Sequence, residues 1–376
     1  MLMGKSDRVL GLDAVRALLL IGGPLVHSII PGHTTIVLDT IQHGSLGFRM
    51  ATFFAIAGFL AASRQSRERW LKDRMRQLLL PLYSLGFIMI LLSYGLKAIE
   101  PQLDTGFIFP GHLWFLISLA IVSPIFFLLD YSLLNSKLAD LADFRPWTFL
   151  VCIMVVSIVI NLGEAFLIKE TADHGYRVSI LVYVSLLVTP QFVVYYALGF
   201  FIARSPSCRD LAIRSATIAI GVVVLLTDVA LFAVFHDALV DHHASGIKVA
   251  MNALNSCSQV WMSLSLLGIA LRIKSMPRLL LPLSRSAYSI YLFHFPVILV
   301  ISTMITACTT LTFDPYAFYA MLFATSIVVS FAIHEYVIAR SAVLSLLFNG
   351  KKLRSSPGKR IADPNKAQSR AIVAAE

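Results

Sequence analysis

The sequence predicts an all-α integral membrane protein, a bundle of about ten transmembrane helices with both termini cytoplasmic. Its composition is 57% hydrophobic and only 14% charged, whereas soluble domains are about 45 to 50% apolar and about 25% charged. Apolar runs of about 20 residues recur along most of the chain. They lack the short alternating pattern of membrane β-strands, so helices must satisfy the backbone hydrogen bonds within lipid.

Hydrophobic windows long enough to cross a bilayer define the individual spans. The first is a retained helix rather than a cleaved signal peptide, because no small-residue cleavage site follows it. The ten predicted spans lie near residues 10–30, 46–64, 78–99, 112–134, 147–167, 178–203, 213–235, 248–272, 285–306 and 315–342.

The distribution of basic residues among the connecting segments predicts the orientation. Most of the 31 Lys and Arg residues lie on the side of the N-terminus, including the run RQSRERWLKDRMR at 64–76. The opposite side holds only Lys97, Lys169, Arg177 and Lys248. We therefore expect cytoplasmic termini, and we expect the basic run to contact anionic lipid headgroups rather than nucleic acid.

Two domains follow from this pattern. Residues 1–348 form one membrane domain, and residues 349–376 form a basic tail that we expect to be disordered, because it is polar and has no apolar period. The four cysteines have no metal-like spacing, so we expect neither a disulfide nor a metal site. The histidines outside the spans are expected in solvated outer loops: His33, His43, His174, His236, His242 and His243.

Three ionisable residues interrupt the first span, LDAVRALLLIGGPLVH. Such groups cost a few kcal/mol at mid-membrane on insertion scales and usually indicate a function. Arg16 and His27 are eleven residues apart, which places them on one helix face and about 16 Å apart along the axis. Asp13 is three residues before Arg16, close enough for an ion pair that either packs the bundle or serves the site. Pro24 can kink the helix between Arg16 and His27.

Other polar residues can be assigned to depths in the membrane. Arg49 and His112 begin spans on the outer side, so both are expected near His27. His294 is predicted near mid-membrane. His334 and Glu335 are predicted in the cytoplasmic half, at the depth of Arg16.

Two further groups have open roles. Trp114 is either an interfacial anchor or a platform for stacking a sugar. Asn252, Asn255 and Gln259 share one face of the eighth span, and for them we favour hydrogen bonds between helices over contact with a substrate.

This set of residues suits acyl transfer to an alcohol. An imidazole can remove a proton from a hydroxyl, and a nearby cation can stabilise a carboxylate or a developing oxyanion. The motifs of serine hydrolases, P-loop proteins, zinc proteases and dinucleotide-binding folds are missing from the sequence. An organic-anion carrier or channel remains the alternative, in which Asp13, Arg16, His27 and His294 line a route without reacting.

Four motifs, in order, resemble those of acyltransferase family 3, the ten-helix membrane enzymes that acylate extracytoplasmic carbohydrates. They are LDAVRALLLIGGPLVH, FFAIAGFL, GHLWFL and SIYLFHFPV, and they extend over residues 12–297. Within that family the chain is most similar to the glucan biosynthesis protein C branch, whose members are implicated in succinylating periplasmic glucans. The closing stretch HEYVIARSAVLSLLFNGKK supports this similarity.

The resemblance implies a function and roles for individual residues. His27 is the expected catalytic residue, and Arg16 is expected to bind or orient the acyl donor. The donor would be a cytoplasmic acyl-coenzyme A, succinyl first and acetyl second, with no permanently bound cofactor. The acceptor would be a hydroxyl of a periplasmic glucan or another envelope carbohydrate, which implies the bacterial inner membrane.

One departure from the family pattern concerns donor binding. The family usually has an RxxR pair before a proline on the inner side. Here the stretch before Pro81 reads RMRQLLLP, so Gln77 stands three residues after Arg74. Arg74 and the neighbouring Arg76 are therefore the donor-binding candidates in this region.

Overall fold

The computed structural model describes residues 10–30, 34–64, 67–100, 111–173, 183–240, 245–275, 280–308 and 313–351. Every regular element in these ranges is helical, so the predicted all-α class is confirmed. We number the α-helices α1 Leu10–His27, α2 Ile36–Leu46, α3 Arg49–Ala62, α4 Arg67–Ile99, α5 Trp114–Leu129, α6 Leu133–Phe144, α7 Pro146–Asp173, α8 Thr189–Arg204, α9 Pro206–Ala212, α10 Ser215–Val234, α11 His236–Val240, α12 Ser245–Arg272, α13 Leu280–Cys308, α14 Pro315–Ala332 and α15 Ala342–Asn349.

Three shorter helical segments adjoin this framework. A 3₁₀ turn at Gly111–Leu113 precedes α5 and contains His112. π-Helical segments at Tyr183–Val188 and Ile333–Ile338 precede α8 and follow α14. Segments of this type often lie at functional sites, and the second contains His334 and Glu335.

Ten helical stretches in the described residues are long and apolar enough to cross a membrane, which matches the predicted number. Two boundaries differ from the prediction. The third span is one helix from Arg67 to Ile99, so most of the basic run at 64–76 forms its first turns. The second span extends over Ile36–Ala62 and is interrupted between α2 and α3. Arg49 therefore lies inside a span, not at its start.

Close helix packing holds the bundle together. The hydrophobic effect does not drive helices together within lipid, so helix association depends on small residues that permit close approach. A Cβ atom at Gly199 of α8 would overlap the Ala55 carbonyl of α3, and a Cβ atom at Gly58 of α3 would overlap the Tyr196 carbonyl of α8. Among the described residues these two helices form the most extensive pairing, and both contribute many side chains to the apolar core.

The helices that carry the candidate site are packed around α1. Helix α1 contacts α13, α12 and α3, and α13 contacts α14 and α4. Large apolar side chains that remain exposed, such as Phe87, Tyr94, Val223 and Val328, belong to spans α4, α10 and α14, where lipid would cover them. Helix α15 ends at Gly350, which has a left-handed backbone (φ 60°) and packs against Gln77 of α4.

Candidate active site

Helix α1 is continuous from Leu10 to His27, so Arg16 and His27 lie at opposite ends of one helix face as predicted. We call these two regions of the bundle the Arg16 end and the His27 end. Arg16 forms an ion pair with Asp13 at 3.4 Å, one turn earlier in the same helix. Helix α1 continues through Pro24 without interruption.

Three histidines converge at the His27 end. The ring centroids of His27 and His294 are 5.2 Å apart, those of His112 and His294 are also 5.2 Å apart, and those of His27 and His112 are 6.4 Å apart. The three residues come from α1, the 3₁₀ turn before α5, and α13. Positions separated by 267 residues in the chain, from 27 to 294, therefore form one cluster.

Backbone carbonyls of α13 orient two of these imidazoles. Nε2 of His112 donates a hydrogen bond to the Leu292 carbonyl at 2.9 Å, and Nδ1 of His294 donates to the Tyr291 carbonyl at 2.6 Å. The other ring nitrogens, Nδ1 of His112 and Nε2 of His294, are buried and have no hydrogen-bond partner among the residues that the structure describes. Each buried histidine thus keeps one unpaired nitrogen, which acts as an acceptor when the ring is neutral.

His27 differs from its two neighbours in accessibility. Its side chain is half-buried, whereas those of His112 and His294 are almost fully buried. No hydrogen bond to His27 is formed within the described part of the chain, and its ring lies 5.5 Å from that of Phe295. His27 is therefore the member of the cluster best placed to meet a substrate.

Arg49 supplies a cation beside the histidines. It is the first residue of α3, its exposure is 5%, and its Nε and Nη1 atoms have no hydrogen-bond partner within the described ranges. A Cβ atom at Gly22 of α1 would stand 3.0 Å from Arg49 Cδ, and the guanidinium is within electrostatic range of His27 and His294. No carboxylate among the described residues forms an ion pair with Arg49, so its charge is available to an anion.

The Arg16 end contains a second concentration of positive charge. Arg74 of α4 is within electrostatic range of Arg16, Arg64 and the hydroxyl of Tyr288. The Tyr288 hydroxyl donates a hydrogen bond to the Gln77 carbonyl at 3.0 Å, which joins α13 to α4. Cations from two different helices are therefore within electrostatic range of each other at this end.

The comparison with known families agrees with this arrangement. The family model Acyl_transf_3, described as an acyltransferase domain, matches residues 9–335. The chain belongs to acyltransferase family 3. No curated protein and no solved structure matches it. The chain is accordingly a membrane acyltransferase, and the matched region contains the entire histidine cluster.

The predicted site residues of this acyltransferase are grouped at the two ends of the bundle. The structure brings together His27, Arg49, His112 and His294 at one end, and Asp13, Arg16 and Arg74 at the other. These seven residues were all predicted as site candidates from the sequence. Their roles in acyl transfer remain predictions.

Three other predicted candidates have structural contacts instead. Trp114 is half-buried, and its ring packs 5.0 Å from that of Phe192 at the edge of the apolar core. Arg76 forms an ion pair with Asp73 and donates to the Gly350 carbonyl. Glu335 lies 4.0 Å from His334 Nε2, away from the described contacts of the His27 cluster.

The prediction that all outer histidines are solvated loop residues is wrong for two of them. His43 lies within α2, where it stacks on Phe232 and bonds to the buried Asp228 at 3.0 Å. His236 begins α11 and contacts Asp39 and Asp237. The hydrogen bond to Asp237, followed by that to Asp39, raises the pKa of His236 above its ordinary value. The other four, His33, His174, His242 and His243, lie outside the described residues.

Several residues at the site were missed in the sequence reasoning. The Tyr291 hydroxyl donates to the His112 carbonyl at 3.2 Å, and its ring contacts those of both His112 and His294. Tyr291 lies three residues before His294, so the spacing in the sequence already indicated that the two residues share a helix face. Gly22 and Gly23 have no side chains, which lets Arg49 and His294 pack closely against α1. This role could not be predicted without knowing which helices lie next to α1.

Proposed function

We propose that this protein is an O-acyltransferase of the bacterial inner membrane with cytoplasmic termini. It moves an acyl group, succinyl first and acetyl second, from cytoplasmic acyl-coenzyme A to a hydroxyl of a periplasmic glucan or another envelope polysaccharide. Family membership supports acyl transfer in general. The identities of the donor, the acyl group and the acceptor are what we propose here beyond family membership.

The observation that carries the proposal is the half-buried His27 beside the unpaired, buried Arg49. A buried guanidinium without a counter-ion is strongly unfavourable, so this arrangement favours a site that receives negative charge. An imidazole next to such a cation is the pair that acyl transfer requires. The base removes a proton while the cation stabilises the oxyanion that develops.

The chemical step follows from these two residues. His27 takes the proton of a sugar hydroxyl, and the hydroxyl oxygen attacks the thioester carbonyl carbon. The negative charge on the carbonyl oxygen meets Arg49. The carbon–sulfur bond then breaks, the ester forms, and the coenzyme A thiolate leaves and accepts the proton from His27. In the other form of the proposal, a neutral ring nitrogen of His27 attacks the thioester carbon, and the carbon–sulfur bond breaks to release the coenzyme A thiolate. The sugar hydroxyl oxygen then attacks the acyl carbon, the bond to His27 breaks, and the hydroxyl proton passes to the thiolate.

The Arg16 end supplies a docking region for the donor. Arg16 and Arg74 are within electrostatic range of each other there, and the phosphates of coenzyme A are anionic. Arg16 and His27 are about 16 Å apart along the helix axis, a separation that the extended arm of the donor would bridge. The charge and spacing together favour a donor that enters from the Arg16 end and reacts at the His27 end.

The unpaired Arg49 favours succinyl over acetyl as the transferred group. Succinyl has a free carboxylate that would otherwise enter the bundle without a partner, and an arginine is well suited to bind it. Acetyl has no such requirement. We therefore place succinyl-coenzyme A first.

The test uses purified protein in proteoliposomes with acyl-coenzyme A on the side of the Arg16 end and glucan on the other side. Labelled ester from the wild type but not from His27→Ala is the expected result. A His27→Ala protein that is normally inserted and forms ester at the wild-type rate would overturn the proposal. Movement of succinate across the membrane without any ester would instead support the organic-anion carrier.

Lys248→Ala is a matched control for this assay. Lys248 lies in the first turn of α12, and the substitution removes a cation of the outer side without changing the histidine cluster. We expect wild-type ester formation from this variant. A comparable loss in Lys248→Ala and His27→Ala would show that the assay responds to charge in general.

A further inference from the structure

The position of Arg49 depends on an interruption in the second membrane span. Helix α2 ends at Leu46, and α3 begins at Arg49. Between them Phe48 has φ −152° and ψ −34°, so the chain leaves the helical conformation for one residue. Were the helix continuous through this point, the direction and height of Arg49 relative to α1 would change.

A chain of hydrogen bonds from α10 and α12 holds the interruption. Gln259 of α12 donates to the Leu46 carbonyl at 3.2 Å and to Asn255 Oδ1 at 2.8 Å. Asn255 in turn donates to Asp228 of α10 at 3.1 Å, and Asp228 bonds to His43 of α2 at 3.0 Å. Both the last turn of α2 and its final carbonyl are therefore fixed to the same two helices.

The hydrogen bond from Gln259 stabilises the interruption because it pairs a carbonyl at the end of a helix. The last carbonyls of a helix have no partner within it, and in the membrane no water replaces that partner. Gln259 satisfies the Leu46 carbonyl from outside the helix. Asp228 is fully buried, and its other oxygen lies close to Gly47, where an added Cβ atom would be 3.4 Å from Oδ2.

We propose that Gln259 and Asp228 are positioning residues that keep the α2–α3 interruption in place and thereby hold Arg49 against His27. This inference rests on the proposed function, because it assigns these residues an effect on acyl transfer. Neither residue touches the histidine cluster in the described contacts. Their effect passes through the backbone at residues 46–48.

Helices α12 and α10 contain another hydrogen bond that serves as a comparison. The Ser265 hydroxyl of α12 donates to the Thr217 carbonyl of α10 at 3.1 Å, six residues after Gln259 in the chain. This bond joins the same two helices, but neither partner bonds to the interruption. Loss of general packing between helices and loss of Arg49 placement can thus be separated with Ser265→Ala.

Gln259→Glu is the decisive variant because it is nearly isosteric. It retains an acceptor for the Tyr195 hydroxyl, which bonds to Gln259 Oε1, but it has no amide donor for the Leu46 carbonyl. We expect at least a ten-fold fall in kcat with the KM for acetyl-coenzyme A unchanged, because acetyl has no carboxylate for Arg49 to bind and the coenzyme A part of the donor binds at the Arg16 end. Ser265→Ala should retain the wild-type kcat. If Gln259→Glu fails to fold, Asp228→Asn is the second variant, with the same expectation.

A double-mutant cycle with Arg49→Gln distinguishes positioning from stability. If Gln259 acts through Arg49, the double variant will be no slower than Arg49→Gln alone. Multiplicative losses in kcat would overturn the positioning role, as would equal losses in Gln259→Glu and Ser265→Ala. Wild-type turnover by Arg49→Gln would refute the role of Arg49 in the proposed function instead.

A structural measurement decides the inference even if no ester is formed. Cysteines at positions 22 and 49, introduced by Gly22→Cys and Arg49→Cys, are to be linked with a short bifunctional thiol reagent. We expect efficient linking in the protein that carries these two cysteines. The yield of linked protein should fall clearly when Gln259→Glu is added. An unchanged yield would show that the interruption holds its position without Gln259.

Discussion

The imidazole of His294 occupies the space that a side chain at position 23 would need. A Cβ atom at Gly23 would lie 3.2 Å from His294 Cε1 and 3.3 Å from its unpaired Nε2. Gly23 is one turn before His27 on α1, so both residues share a helix face. The absence of a side chain at position 23 is what permits α13 to bring His294 against the helix that carries His27.

Enlarging position 23 should therefore separate the histidines. We expect Gly23→Val to lower kcat at least ten-fold, because the new methyl groups meet His294 and Tyr291. Ester formation and thermal unfolding measured together will test this. Gly163→Val is the control, since a Cβ atom at Gly163 meets nothing within 4 Å. Wild-type turnover by Gly23→Val would mean that His294 is not needed close to α1.

Arg49 should affect one acyl group more than another. If the unpaired guanidinium receives both the oxyanion and the succinyl carboxylate, Arg49→Gln will reduce succinyl transfer about ten-fold more than acetyl transfer. That ratio corresponds to about 1.4 kcal/mol. Competition between the two labelled donors in one reaction measures the ratio directly. Equal losses would limit Arg49 to the oxyanion.

The close contact between α3 and α8 predicts a large effect on stability. Gly199→Leu would place a side chain where the Ala55 carbonyl lies, so the two helices must separate. We expect a fall of several degrees or more in the unfolding temperature in detergent. Gly95→Leu provides the comparison, because a Cβ atom at Gly95 also meets nothing within 4 Å. Similar stability of the two variants would contradict the close packing.

The contact between α11 and α2 should depend on pH. The pKa of His236 is raised above its ordinary value of 6.5 by its hydrogen bonds to Asp237 and Asp39. A raised pKa in the folded state means that the stabilisation is fully present below the unfolded value and is lost as the pH rises through the folded value. The unfolding temperature of the wild type should exceed that of His236→Gln at low pH, and the difference should vanish at high pH. A difference that is independent of pH would exclude this titration.

Gln77 tests the departure from the family's RxxR pattern. Its side chain is exposed, and it lies one turn from Arg74 in α4. Gln77→Arg adds a cation at the Arg16 end, so we expect a lower KM for acyl-coenzyme A with little change in kcat or in unfolding temperature. Initial rates at varied donor concentration will measure both constants. A higher KM would mean that the anionic donor does not bind near this turn.

The sequence by itself determined the ten-span helical class and most of the residues at the two ends of α1. Hydrophobic runs report membrane spans directly, because lipid imposes one requirement on every segment that crosses it. Arg16 and His27 could be assigned to one helix face because their spacing is a property of a single helix. The approach of Arg49 and His112 to His27 was anticipated from depth alone, whereas His294 was predicted near mid-membrane and its contact with His27 was not anticipated.

Tertiary structure decided everything that depends on contacts between helices. The interruption before Arg49 is held by Gln259 and Asp228, which are distant in sequence. The inward placement of His43 depends on Asp228, and the packing of Trp114 depends on Phe192. No periodicity within one span contains this information, because each of these placements is fixed by hydrogen bonds and close packing supplied by another helix.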